Sequence, residues 1–136
     1  MGKILAIDFG LKRTGIAITD ASNIIASPLT TVDSIHLMTF LIDTVKKENV
    51  TIIVMGDPKR LNNEATHITE NVYLLKEALE KQFPTVKIEL MDERFTSKMA
   101  LQSMIDGGMK KKQRQEKGMI DQISAAIILQ SYLAQF

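Results

Sequence analysis

Two apolar runs that fail to alternate set the frame for this chain. Residues 4–7 read Ile-Leu-Ala-Ile and stop at Asp8, and residues 51–55 are a β-branched run that stops at Gly56-Asp57-Pro58. A sheet strand with one wet face alternates apolar and polar residues, whereas a continuous run suits a strand covered on both sides. The covering helices are legible as well. After Ser34, a good helix N-cap, Leu37, Met38, Leu41, Ile42 and Val45 recur at helical spacing. Ile68, Val72, Leu75 and Leu79 form a second stripe, closed by Phe83-Pro84.

The remaining elements fit between these. Gly10 and Gly15 bracket a polar turn, Leu11-Lys12-Arg13-Thr14, after which residues 16–19 return as the second strand of a hairpin. A third strand near residues 24–32 carries Pro28, which marks an edge or a bulge. Residues 86–91 alternate as a strand and end at Asp92-Glu93-Arg94. Thr96 or Ser97 can cap a short helix that stops at Gly107-Gly108, and a last helix runs from about Met119. The order β-β-β-α-β-α-β-α-α predicts an α/β protein with a mixed five-stranded sheet flanked by helices. No repeat or linker interrupts it, so residues 1–136 are expected to form a single domain.

Bulk composition narrows the function classes. Hydrophobic residues make up 45% and charged residues 24%, a balance that excludes a disordered chain. Without cysteine there is neither a disulfide framework nor a thiolate metal site, which suits a reducing cytoplasm. The run at residues 4–7 is too short for a signal-peptide core or a membrane span, so a cytoplasmic protein without a membrane partner is expected. A net charge of +1 rules out bulk attraction to nucleic acid. The charge is unevenly spread, however. Lys110, Lys111, Lys112, Arg114 and Lys117 lie in one stretch against a single acid, Glu116, which is where a phosphate backbone would be held. Taken alone, such a run also reads as a solvated loop.

Acids fall at the ends of elements: Asp8 after the first strand, Asp92-Glu93 after the last, and Asp121 in the expected first turn of the final helix. A carboxylate closing an apolar strand must stay solvated, be paired or bind a cation, because burying it alone costs several kcal/mol. If these groups converge, their repulsion calls for a divalent ion, and oxygen ligands without cysteine favour Mg²⁺ or Mn²⁺. The matching chemistry is metal-assisted hydrolysis of a phosphodiester bond. Each acid alone is more often a turn former or surface charge, so the combination carries the reading. Alternation leaves Asp92 and Glu93 open. His36 and His67 have no partner at ligand spacing, and the few aromatics do not interleave with the basic run, so no base-stacking platform is expected.

Several motifs resemble the YqgF/RuvX family. They are Ile7-Asp8-Phe9-Gly10 with Lys12-Arg13-Thr14-Gly15, Ala26-Ser27-Pro28-Leu29, Met91-Asp92-Glu93-Arg94-Phe95-Thr96-Ser97, and Ile120-Asp121-Gln122-Ile123-Ser124-Ala125-Ala126. The resemblance covers nearly the whole chain in motif order. It implies a ribonuclease H-like fold and a nuclease that processes the 5′ end of the 16S rRNA precursor in ribosome biogenesis. It also implies that Asp8, Glu93 and Asp121 are the catalytic metal carboxylates, which assigns Glu93 over Asp92. Lys12, Arg13 and Arg94 join the basic run as nucleic-acid contacts, and Asp92 and Arg94 become supporting residues. One segment departs from the family pattern: Asp57 stands between Gly56 and Pro58, and Leu61-Asn62-Asn63-Glu64 has no glycine. Asp57 is thus a candidate outer ligand, or an ordinary Asp-Pro turn.

Other readings stay open beside the RNA nuclease. One is a Holliday junction resolvase-like DNA endonuclease, and another is a non-catalytic nucleic-acid-binding module of the same fold. A nucleotide-phosphate enzyme of the actin and sugar-kinase type also begins with Asp-x-Gly, but it needs two such domains and this chain has length for one. Monomer and homodimer are both compatible, since no apolar seam marks an interface.

Overall fold

The computed structural model describes residues 2–57, 67–92 and 117–134. Strands β1 (Lys3–Asp8), β2 (Arg13–Thr19) and β3 (Ala26–Asp33) run antiparallel in succession. A 3₁₀ turn, Ser34–His36, leads into α1 (Leu37–Lys47). Then come β4 (Val50–Asp57), α2 (His67–Gln82), β5 (Lys87–Asp92) and the C-terminal helix α3 (Lys117–Leu133). The sheet has five strands in the order β3-β2-β1-β4-β5, with β1, β4 and β5 mutually parallel. This is the mixed sheet expected from the sequence. No helix among the described residues is long and apolar enough to cross a membrane.

Two cores explain why β1 and β4 do not alternate. Leu5, Ile7, Ile16, Ile53 and Met55 pack against Leu37 and Leu41 of α1 and Val72 and Leu79 of α2. On the other face Ile4, Ala6, Ala17 and Val54 meet Ala125, Ala126, Ile128, Leu129 and Tyr132 of α3. Each strand therefore buries both sets of side chains, at roughly 1.5–3 kcal/mol for each large one. The α3 side is lined by small residues, which lets the helix backbone approach the sheet closely.

Boundaries differ from the sequence expectations in instructive ways. β3 starts at Ala26, because Asp20 Oδ1 accepts the amides of Ile24 and Ile25 (2.8 and 3.2 Å) and holds them in a turn with Asn23 at φ 57°. Pro28 does sit on an edge strand, beside a register shift opposite Ile16 and Ala17. On α1, Ile42 lies outside the buried stripe and is exposed. Ser34 makes no side-chain cap; α1 begins only at Leu37, after the 3₁₀ turn. The short helix expected between Thr96 or Ser97 and Gly107-Gly108 lies outside the described residues.

At its C-terminal end α3 is tied to β5 by Tyr132, which is buried and hydrogen-bonded to Glu89. Burial first, then the hydrogen bond to Glu89 and the Glu89 charge, push the Tyr132 hydroxyl up to about 12. The same hydrogen bond, helped by Lys87 at 3.0 Å, holds Glu89 below the usual carboxylate range. An unfolded tyrosine ionises near pH 10, so between about pH 10 and 12 the unfolded state loses a proton the folded state keeps. Stability contributed here is complete below pH 10 and is lost as pH rises. Tyr132→Phe is expected to cost about 1–3 kcal/mol at pH 7 and to flatten the alkaline decline in urea-unfolding midpoints. An unchanged alkaline slope in the variant would remove Tyr132 as its source.

Candidate active site

Strand parity decides where the first acid goes. Asp8 shares its side of β1 with Ile4 and Ala6, which pack on α3, so Asp8 belongs to the α3 face at the C-terminal end of the strand. Its partner across the ladder is Gly15 of β2. A Cβ at Gly15 would overlap the backbone carbonyl of Asp121 and lie 2.8 Å from the amide nitrogen of Gln122. The α3 backbone therefore rests directly on β2 at Asp121, one strand over from Asp8. Cα atoms paired across an antiparallel ladder are about 5 Å apart, so Asp8 and Asp121 issue from neighbouring backbone. Both are partly exposed, and both have polar partners.

Asp121 sits in the second turn of α3, since the helix opens at Lys117. The macrodipole, whose effect fades beyond the first turn, thus gives Asp121 less help than its expected first-turn place would have. A neighbouring cation does more. Arg13 Nε lies 3.4 Å from Asp121 Oδ2, with the two side chains 36% and 27% exposed. An ion pair this wet contributes roughly 0–1 kcal/mol and is easily rearranged. Arg13 Nε itself is buried without a hydrogen-bond partner, so this pair does not satisfy it. Arg13 is the first residue of β2, not a turn residue as expected; only residues 9–12 form the turn.

That turn is fixed from outside. Ser34 Oγ donates to the Gly10 carbonyl, lies 2.9 Å from Thr14 Oγ1, and the Ser34 amide donates to the Lys12 carbonyl at 2.9 Å. A Cβ at Gly10 would come 2.5 Å from the Arg13 carbonyl, so the bend also needs glycine. The hydroxyl expected to cap α1 instead braces the link between Asp8 and Arg13. Its clue in the sequence, a serine after a strand, is the same for both jobs.

Asp57 and Asp92 end β4 and β5 opposite one another, on the same sheet edge as Asp8. Asp57 shares parity with Ile53 and Met55 and is buried on the α1–α2 side, where Tyr73 Oη donates to its two carboxylate oxygens at 3.4 and 3.3 Å. Burial, and then the Asp57 charge, raise the Tyr73 hydroxyl above its ordinary value. Asp57 is thus on the opposite face from Asp8 and Asp121 and is not their outer ligand. Glu93, Arg94, Lys110, Lys111, Lys112 and Arg114 lie outside the described residues; Lys117 opens α3, with its side chain outside them too. Lys12 is exposed in the turn.

Among the described residues no group of three or more His, Cys, Asp or Glu could by itself hold a metal ion. Two carboxylates from adjacent backbone nevertheless fit a hard cation. Mg²⁺ is commonly held by one or two carboxylates, with water and substrate phosphate completing its shell.

A five-stranded mixed sheet with helices on both faces and acids at the end of β1 and within α3 defines a ribonuclease H-like domain. The same fold occurs in T. thermophilus RuvC in complex with a Holliday junction substrate, at TM-score 0.61 and 13% identity, covering 99% of this chain and 96% of that one. It occurs as well in the fowlpox virus Holliday junction resolvase, at TM-score 0.59 and 13% identity, covering 98% and 99%. The model of the RuvX family, described as Holliday junction resolvase, matches residues 2–135, and the chain belongs to that family. Relatives include proteins named "Putative pre-16S rRNA nuclease". One from Phocaeicola vulgatus is 50% identical over 133 residues, 98% of this chain and 96% of the relative. One from Flavobacterium psychrophilum is 52% identical over 135 residues, 99% and 98%.

The contact at Gly15 makes a sharp demand. Gly15→Ala forces α3 off the sheet beside Asp121 and is expected to cost about 1–3 kcal/mol, as overpacking does. Chemical unfolding measures it; a loss below about 0.5 kcal/mol, the range of neutral surface changes, would mean that α3 does not bear on this strand.

Proposed function

We propose that this chain is a divalent-metal-dependent nuclease that hydrolyses phosphodiester bonds in the 16S rRNA precursor, in the cytoplasm. The observation that carries the proposal is the contact of the α3 backbone at Asp121 with Gly15, the ladder partner of Asp8. Family membership and the names of the relatives support it.

Asp8, Asp121 and Glu93 are the residues that would hold Mg²⁺ or Mn²⁺. Glu93 is taken over Asp92 as the third on the motif resemblance; within β5, Met91 packs with the α3 core and Glu89 bonds Tyr132, whereas Ile88 and Leu90 pack on the other side. A bound divalent cation supplies Lewis acidity at the phosphoryl oxygen and lowers the pKa of an attacking water. The chain's own part is positional. Carboxylates fixed on a strand end and a helix keep their spacing as charge develops, which favours the transition state over a floppy arrangement. Arg13, whose pairing with Asp121 is weak enough to exchange, would meet a phosphate entering the site. Lys12 adds positive charge from the braced turn, and Arg94, Lys110, Lys111, Lys112, Arg114 and Lys117 would extend that track along the backbone.

A second reading, cleavage of branched DNA, draws on the family description and on the RuvC likeness. A side-by-side assay separates the two. Structured RNA spanning the precursor 5′ end and a four-way DNA junction are offered with Mn²⁺ to the unaltered protein and to Asp8→Asn. RNA cleavage lost in the variant, with circular dichroism unchanged, is expected. Preferential junction cleavage would transfer the assignment to DNA, and equal cleavage by Asp8→Asn would overturn a role for this site.

A further inference from the structure

Leu11 and Ile35 are bulky exposed apolar residues on the two turns that follow β1 and β3, and the proposed chemistry does not use them. Leu11 is 56% exposed at the tip of the turn between Asp8 and Arg13, and Ile35 is 86% exposed in the 3₁₀ turn. These two turns are stitched together by the Ser34 amide on the Lys12 carbonyl and the Ser34 hydroxyl on the Gly10 carbonyl. Thr14, fully buried, holds Ser34 from the sheet side. Two bulky hydrocarbons are thus kept in water on a rim that cannot easily fold them away.

We propose that Leu11 and Ile35 form an apolar wedge that packs against an unstacked base of the substrate beside the scissile phosphate. The proposal rests on the nuclease reading above. Three observations select a base as occupant. Leu11 is three residues from Asp8, so the two backbones are at most roughly 11 Å apart, and at about 3.4 Å per stacked nucleotide the wedge reaches a base within about three positions of the cut. Lys12, next in the same turn, and Arg13, which opens β2, supply the charge that a phosphate backbone flanking that base requires. Two side chains also fall far short of the roughly 800 Å² per partner buried in a stable protein interface, whereas a nucleobase face matches them in size. Leucine and isoleucine are among the residues that proteins insert between base steps, and they partly unstack the bases. The wedge would favour sites where stacking is already weak, at a junction between paired and unpaired strands.

The test uses synthetic RNA hairpins with a single-stranded 5′ extension, carrying 2-aminopurine at successive positions across the boundary. Binding is followed without turnover in the Asp8→Asn protein, with and without Leu11→Ser and Ile35→Ser together. Binding of the parent should raise emission several-fold at one or two positions near the boundary. The double serine variant should lose that rise and bind the hairpin about tenfold more weakly, yet bind fully paired duplex as before. Because both side chains are exposed, the melting temperature should hold, and Leu11→Met with Ile35→Met should restore the emission. A parent that binds the hairpin with no rise, or a serine variant with the full rise, would overturn the wedge alone. A parent that binds no nucleic acid would overturn the wedge and the nuclease reading together.

Discussion

One close approach governs the α3 face of this protein: the backbone of α3 lies on Gly15 of β2. Helices normally sit on sheets at a distance set by side chains. Here Ala6 and Ala17 on the sheet cluster with Ala125 and Ala126 on the helix, and at Gly15 the gap closes until peptide meets peptide at Asp121. Close packing of this kind has little tolerance for even one added carbon. It brings an acid near the end of the sequence beside one near its beginning, and does so through two rigid elements. Precision at the site is therefore inherited from the core.

The electrostatics follow from that geometry. An α3-side Asp8 and the neighbouring Asp121 put two negative charges on adjacent backbone, partly shielded from water. Arg13 offsets one of them, but at 3.4 Å and with over a third of its side chain wet it is a weak and exchangeable partner. A divalent cation would suit such a place, because it would offset both negative charges at once. On the other face, Asp57 shows how the same sheet edge handles an acid that is not so placed. It is buried, and Tyr73 donates to both its oxygens. Identical residue types at neighbouring strand ends thus have different surroundings because parity sends them to opposite sides.

Much of this was legible in the sequence. The unbroken apolar runs around Ile7 and Val54 announced strands covered on both faces, and the stripe through Leu37 and Leu41 announced a covering helix. What the sequence left open was set by tertiary contacts. Ser34 has the chemistry of a helix cap and of a turn brace alike, and only the fold brings Gly10 within its reach. Gly15 read as the end of a turn; nothing local reveals that α3 will press on it. Ile24 and Ile25 have strand propensity, which the Asp20 side chain overrides by capturing their amides. Asp121 moved from the first to the second turn of its helix because boundary residues such as Lys117 carry little periodic signal.

The proposal that Asp8 and Asp121 share a cation is tested most directly by calorimetric titration of Mn²⁺, which needs no substrate. Asp8→Asn and Asp121→Asn should each weaken Mn²⁺ binding at least about tenfold, a loss that even outer partners of metal ligands produce. Either variant binding Mn²⁺ as tightly as the unaltered protein would show that the two carboxylates do not hold a common ion.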